Sequence, residues 1–355
     1  MKNYEKIRQK LIEHSLDAVY VTSPINRAYA SGFFSTDGLA VITQDNQYFF
    51  TDSRYIEAAE AAMPDFTVEM VTQENSYTDC MNRLINKHSL SVVGFEEERA
   101  SFRQYNAMTK AFQVKFAAAQ GIFEELRAVK SPEEVQKLIS AQRLAEEAFR
   151  QTLGVLKAGM TEKEAAAELV YRMLRLGADG LSFEPIVVSG VRSSMPHGVP
   201  TTEKIEPGTF LTMDFGCIKD GYCSDMTRTV AVGGYTDEME KVYNVVLKAQ
   251  KAGIDAARAG IPGCEVHMAA ANVIAEAGYG EYFGHGFGHG IGMEVHEGNG
   301  ASQSEKRLLR AGNVISAEPG IYMPGKFGVR IEDVLVIEEG GRTDITKTPK
   351  ELMVI

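Results

Sequence analysis

From residue 16 to about residue 120, short apolar runs alternate with amphipathic stretches. "LDAVYVT" comes first, "GLAVIT" and "QYFFT" flank the turn "QDN", and "TVEMV" and "SVVGF" follow. Runs of this length read as strands, and intervening segments such as Ser53 to Ala62 read as helices, so this part of the chain is expected to be an α/β domain. It contains no glycine-rich phosphate loop. The grammar changes at "LRAVKSPEEVQKL": Ser131 can cap a helix, Pro132 fills its first position and Glu134 completes a capping box. A second domain is therefore expected to begin here, dividing the chain into residues 1–125 and 126–355.

The opening helix of the second part should end by Gly159, and Thr161 with Glu164 caps another that runs toward Gly177. The same signals return 101 residues later, where Ala158, Gly159, Glu164 and Gly177 align with Ala259, Gly260, Glu265 and Gly278. This suggests a structural duplication. Each helix pair precedes strand-like, turn-rich sequence, which predicts helices backing an antiparallel sheet rather than a parallel doubly wound one. The expected class for the whole chain is α+β.

Composition narrows the partners. With 37 Lys plus Arg against 48 Asp plus Glu, the net charge is −11, which disfavours nucleic acid and leaves carboxylates to spare for cations. The N-terminus mixes charges through every turn, and no apolar run approaches the roughly 18 residues of a membrane span, so a cytoplasmic protein with no membrane partner is expected. Cys80, Cys217, Cys223 and Cys264 form no CxxC pair and read as reduced, mostly buried thiols.

The candidate chemistry starts at "GHGFGHGIG", Gly284 to Gly292. On a helix, His285 and His289 would share a face as in a zincin, but five glycines in nine positions would each cost about 1 kcal/mol there. No Glu follows the first histidine, and the stretch fits neither GxGxxG nor GxxxxGK[ST]. Extended or looped backbone that something approaches closely is what remains. Upstream, "GTFLTMDFGCIKDGYCSDMTRTVAV" reads as a β-hairpin around "IKDG". A turn centred between Lys219 and Asp220 would set Asp214 directly opposite Asp225; one centred on Asp220 and Gly221 would set them diagonally on one face. A lone carboxylate within such an apolar strand costs several kcal/mol unless paired or metal-bound. Downstream, Glu318 ends an apolar run and Glu332 is expected inside another, with Arg330 on the same face and able to pair with it or with a substrate carboxylate. Four carboxylates and one imidazole form a hard donor set suited to Mn²⁺, Co²⁺, Fe²⁺ or Zn²⁺, and two divalent ions would balance their charge.

In the order "VSGVRSSMPHGVP", "MDFG", "CSDMTRT", "GHGFGHGIG", "VHE", "SAEPG" and "VRIED", these segments resemble the Xaa-Pro peptidases, prolidase and aminopeptidase P, of the pita-bread metallopeptidase superfamily. The resemblance spans essentially the full chain. It implies a C-terminal pita-bread fold, a curved antiparallel sheet backed by helices and internally pseudo-duplicated, behind an N-terminal α/β creatinase-like domain. It implies Asp214, Asp225, His289, Glu318 and Glu332 as ligands of two divalent ions, most often Mn²⁺, with Asp225 and Glu332 bridging. His285, His197, His296 and Arg330 correspond to substrate-binding positions, with Glu318, His197 and His296 catalytic, and Thr227 supports the metal shell. The implied activity is exopeptidase cleavage of the Xaa-Pro bond in a proline-containing dipeptide or oligopeptide, by a hydroxide bridging two metals. A homodimer is implied too, with Arg54 or Tyr55 of "TDSRY" reaching a neighbouring subunit, against the plainer reading of that segment as an exposed helix start. The motifs are shared by dipeptidase and aminopeptidase P. Another aminopeptidase of this fold, a metal-free creatinase and a non-catalytic binding protein are the competing readings, and the five retained ligand positions count against the last two.

Overall fold

A computed structural model describes residues 1–355, which form two compact units, Met1–Leu126 and Arg127–Ile355. In the first unit the strands are β1 (Ala18–Val21), β2 (Leu39–Thr43), β3 (Gln47–Thr51), β4 (Thr67–Met70), β5 (Val92–Phe95) and β6 (Lys115–Ala118). They make one six-stranded sheet in the order β4-β3-β2-β1-β5-β6. The β1-β2-β3 pairs are antiparallel and the outer pairs parallel. Six helices accompany them: α1 (Asn3–Glu13), α2 (Pro24–Ser31), α3 (Ile56–Ala62), α4 (Tyr77–His88), α5 (Phe102–Ala111) and α6 (Gln120–Ala128). Val41, Phe50, Leu84 and Val93 lie in the core of this unit. In "TDSRY", Arg54 is exposed and pairs with Asp52 and Asp37, and the Tyr55 hydroxyl lies 2.6 Å from that of Thr36. The segment is an exposed helix start held by its own unit.

The second unit opens with α7 (Pro132–Leu153) and α8 (Glu162–Arg175) and repeats the pair as α9 (Asp237–Ala256) and α10 (Gly263–Glu276). Both expected capping boxes are formed, at Ser131 with Glu134 and at Thr161 with Glu164. On α7, Leu138, Ala141, Gln142, Ala145, Ala148, Phe149 and Thr152 are buried at three- and four-residue intervals, the stripe that an amphipathic helix lays on a sheet.

The repeat is a physical one. Shifting α8 by 101 residues lands it on α10 end to end, and Gly159, Gly177, Gly260 and Gly278 all have positive φ, between 86° and 98°. Equivalent hydrogen bonds close both helices, Ala178 N to Met173 O and Tyr279 N to Ile274 O, and equivalent bridges precede them, Thr161 to Lys204 and Pro262 to Leu308.

Between and after the helices lie β7 (Gly180–Leu181), β8 (Ile186–Ser189), β9 (Thr209–Phe215), β10 (Cys217–Lys219), β11 (Tyr222–Cys223), β12 (Met226–Val232), β13 (Val314–Ala317), β14 (Gly320–Met323), β15 (Phe327–Arg330), β16 (Asp333–Glu338) and β17 (Gly341–Asp344). Every pairing among them is antiparallel. These strands make four small sheets, β11-β10-β7, β12-β9-β8, β13-β16-β17 and β14-β15, and two apolar clusters join them to the helices: Phe149, Leu169 and Met213 with α7 and α8, and Val246, Ile274, Phe287 and Leu335 with α9 and α10. The cysteines are free, Cys80, Cys217 and Cys223 buried and Cys264 partly so. No helix is long and apolar enough to cross a membrane.

Candidate metal centre and substrate cavity

The hairpin decides where the two aspartates go. Lys219 pairs with Tyr222, leaving Asp220 and Gly221 as a two-residue turn, both at positive φ as a type I′ turn requires. The same register continues through β9 and β12, where Asp214 faces Thr227. Asp214 and Asp225 are therefore diagonal neighbours on one face, the second of the two registers weighed from the sequence, and both line the same cavity.

"GHGFGHGIG" is extended rather than helical. Gly288 pairs with Ala301 and Gly290 with Ile315, so the stretch runs alongside β13. Close approach explains the glycine at 288, where an added Cβ would stand 1.9 Å from the carbonyl oxygen of Ser316. Ser316 N donates to His289 O, and the Ser316 hydroxyl accepts from His289 N while lying 3.2 Å from Glu318 Oε1. This lateral pairing brings His289 Nε2 to 3.4 Å from Glu318 Oε1 and 3.5 Å from Asp225 Oδ2. His289 Nδ1 lies 3.2 Å from Gly290 O, so Nδ1 carries the donated hydrogen and Nε2 faces the carboxylates.

Glu332 is not within a strand. It occupies the break between β15 and β16, where its N–H turns to Thr227 O, because its carboxylate is held by the Thr227 hydroxyl at 2.7 Å on a neighbouring strand. Nor does Arg330 pair with it directly. The guanidinium bonds to Asp214 Oδ2 at 2.5 Å, to the Thr227 hydroxyl at 3.0 Å and to the Tyr322 hydroxyl at 2.9 Å. Two-residue spacing gives a shared face only while the strand is regular, and here the backbone leaves the ladder after Arg330.

Asp214, Asp225 and Glu332 are at most 8% exposed. Burial pushes all three carboxyls above their ordinary range, with neighbouring carboxylates adding to it, and that of Asp225 reaches about 7. Burial by itself would lower the His289 imidazole, but Asp225 and Glu318 raise it to about 9. Asp214 Oδ1, Asp225 Oδ1 and Glu332 Oε1 are buried with no hydrogen-bond partner. Ligand atoms of Asp225, His289 and Glu332 lie within 4.8 Å of one another. Crowded, orphaned carboxylate oxygens beside an imidazole lone pair fit hard divalent cations, which would satisfy the oxygens and replace the protons.

The cluster opens on a cavity of about 1070 Å³. All nine residues singled out from the sequence line it: Asp214, Asp225, His289, Glu318 and Glu332 together with His197, His285, His296 and Arg330. The His296 ring packs edge-on to that of His289, 4.2 Å between centroids. Tyr322 was not anticipated; its hydroxyl joins Arg330 to His285 Nε2, 2.9 Å away. Since His285 Nδ1 donates to Gly286 O, Nε2 accepts from Tyr322, and burial keeps this imidazole neutral by lowering its pKa. A tyrosine in a buried strand is too ordinary to be noticed in sequence; its place just after "SAEPG" was the available signal. Ala166, Val170, Tyr171, Phe183 and Pro185 give the cavity an apolar part of its lining.

The sequence matches the family model described as "Metallopeptidase family M24" over residues 136–339, and that of the "Creatinase/Prolidase N-terminal domain" over residues 4–129. Among curated relatives, "Uncharacterized peptidase YqhT" of Bacillus subtilis is 40% identical over 99% of both chains. "Xaa-Pro dipeptidase" of Pyrococcus furiosus is 33% identical, over 98% of this chain and 99% of the relative. Among solved structures, an Xaa-Pro dipeptidase from Bacillus anthracis superposes with a TM-score of 0.96 at 37% identity, covering 100% of this chain and 99% of the other. An X-Pro aminopeptidase from Thermotoga maritima does so with a TM-score of 0.93 at 36% identity, covering 100% of each chain.

Proposed function

The chain belongs to the M24 metallopeptidases, a creatinase-type N-terminal domain being followed in sequence by a pita-bread catalytic domain, and from that premise we propose that it is an exopeptidase cleaving the bond between an N-terminal residue and proline. In this reading Asp214, Asp225, His289, Glu318 and Glu332 hold two divalent ions, Mn²⁺ first among them. The observation that carries it is the set of three buried carboxylate oxygens without a partner, on Asp214, Asp225 and Glu332, with ligand atoms of Asp225, Glu332 and His289 within 4.8 Å of one another. When bound, such ions supply Lewis acidity toward a carbonyl and bring the pKa of water down to the neutral range.

The side chains divide the remaining work. Glu318, the carboxylate nearest His289, retains 18% side-chain exposure, more than the 12% of Asp214 or the 5% of Asp225. It is the group able to accept a proton from the attacking water and return it to the leaving proline nitrogen. His197 and His296 face the cavity as donors to the oxygen that gains charge at the scissile carbonyl. The Arg330, Tyr322 and His285 chain fixes the neutral His285 imidazole at the substrate wall. A proline amide has no N–H to offer, so apolar and imidazole contacts are the suitable ones for its ring.

Within this activity, one feature favours peptides that continue beyond the proline over free dipeptides. Arg330 is the one lysine or arginine lining the cavity, and its guanidinium is already bonded to Asp214, Thr227, Tyr322 and the Pro196 carbonyl. The C-terminal carboxylate of a dipeptide would lie close to this acidic cluster, whereas a continuing chain carries that charge away along the apolar part of the lining. The test is to strip the purified protein of metal and restore each divalent ion in turn, assaying Xaa-Pro dipeptides and Xaa-Pro-Yaa tripeptides. Metal-dependent release of the N-terminal residue, faster from tripeptides, is expected. No cleavage of either with any ion overturns the function, and cleavage of dipeptides alone overturns the preference.

A further inference from the structure

The boundary segment "RAVK", Arg127 to Lys130, carries two cations whose side chains are 4% and 1% exposed. Both turn toward the loop that follows the glycine-rich stretch. Lys130 Nζ lies 3.0 Å from Glu297 Oε1, and Arg127 bonds to Glu297 Oε2 and, at 2.7 Å, to Glu294 Oε2. Glu297 is itself buried, at 7% side-chain exposure, and is the residue directly after His296. Its oxygen Oε2 also accepts from Glu294 N at 3.1 Å.

The loop is tied to the candidate site on its other side too. Glu297 N donates to Gly290 O at 2.9 Å, the same carbonyl that receives His289 Nδ1. A Cβ at Gly292 would stand 1.8 Å from Glu297 Oε1 and 2.8 Å from Lys130 Cε, so the carboxylate and the lysine lie flat on the glycine backbone. Lys130 N is anchored in turn by Gly312 O at 2.8 Å. Glu297 is thus fixed at both ends, and its neighbour His296 packs against the ring of His289.

We propose that Lys130 and Arg127 are positioning residues, which clamp Glu297 and thereby hold His296 at its working distance from His289 and the substrate carbonyl. The proposal rests on the role given above to His296. It assigns a catalytic purpose to a segment whose sequence signals only a domain boundary and a helix cap. A buried carboxylate held by two buried cations need not stabilise a fold more than apolar residues of the same size would, so a geometric role accounts for its presence better than stability does.

The test uses the full-length protein loaded with diamagnetic Zn²⁺ and labelled at histidine Cε1, with the His296 resonance assigned by its loss in His296→Gln. In the native protein that resonance is expected to be displaced by the His289 ring, which lies edge-on 4.2 Å away. Lys130→Met is expected to move it toward the position of free histidine and to lower kcat by about tenfold or more, as small displacements of a catalytic group do. Mn²⁺ affinity should change less than twofold, and Lys130→Arg should restore both signals. An unmoved His296 resonance in folded Lys130→Met overturns the proposal. Should that variant fail to fold by circular dichroism, Glu294→Gln, which loosens the Arg127 half, takes its place: a smaller shift in the same direction supports the clamp and none refutes it. If the wild-type protein cleaves no Xaa-Pro bond, the proposed function fails while the resonance still decides the clamp.

Discussion

Asp225 holds one oxygen 3.5 Å from His289 Nε2 and has the other buried without a partner, and its carboxyl is raised to about 7. In the metal-free protein such groups keep protons that metal binding must displace. The sign follows from linkage. A carboxyl whose folded pKa lies above its unfolded value near 4 makes the folded state bind more protons between those two pH values, so the metal-free fold loses stability as pH rises through about 7. His289, raised to about 9, acts the same way, its contribution being complete below about 6.5 and lost through about 9. Metal affinity should accordingly increase from pH 6 toward pH 9 with release of protons, measurable by calorimetry in buffers of different ionisation enthalpy. Asp225→Asn should abolish binding and metal-dependent turnover while the far-ultraviolet spectrum stays native; turnover near that of the wild type would refute its place among the ligands. At this scale the sequence was informative because the residues are anomalous: Asp214, Asp225 and Glu332 interrupt apolar runs where a charge needs a reason. Tyr322 and Thr227 interrupt nothing, and their roles come from which atoms they meet.

Elements set the register on which those residues depend. The two-residue turn at Asp220 and Gly221 places Asp214 opposite Thr227, and a slip of one residue would send one aspartate to the other face. The hairpin was legible, yet two registers remained open until the pairing was seen. Strand regularity was the assumption that failed: the chain leaves the ladder after Arg330, so Arg330 serves Asp214 while Glu332 is held by Thr227. At the glycine-rich strand, the contact of Gly288 with the Ser316 carbonyl is with backbone, which cannot yield as a flexible side chain would. Gly288→Ala should therefore destabilise the second unit by about 3 kcal/mol and weaken metal binding by displacing His289. Urea unfolding and metal titration check this, and a loss below about 0.5 kcal/mol, the range of an inert surface change, would show that the two strands can separate without consequence.

For the molecule as a whole, the carboxylates and imidazole come from β9, the approach to β12, the glycine-rich strand, the end of β13 and the break before β16, all within Arg127–Ile355. Divalent ions binding there act as a cross-link between elements far apart in the chain. At a hundred times the dissociation constant, binding contributes about 2.7 kcal/mol. For a unit of this size that corresponds to a rise in melting temperature of about 5–10 °C. Scanning calorimetry should show it in the transition of the second unit; a transition unmoved by any divalent ion would refute the site. The 101-residue repeat was visible in four matching positions, two of them glycines at positive φ, because a left-handed backbone position demands a particular residue and leaves a mark in sequence. By itself the sequence determined the capped helices at Ser131 and Thr161, the hairpin around Asp220, the antiparallel class of the second unit and which polar residues could not be ordinary, since all of these follow from local periodicity and from the cost of burying charge. The tertiary structure alone decided which carboxylate takes the arginine, that Tyr322 joins Arg330 to His285, and that Lys130 and Arg127 reach the loop of His296. Those contacts join residues up to about 170 positions apart, and no local pattern encodes a meeting that depends on how whole elements pack.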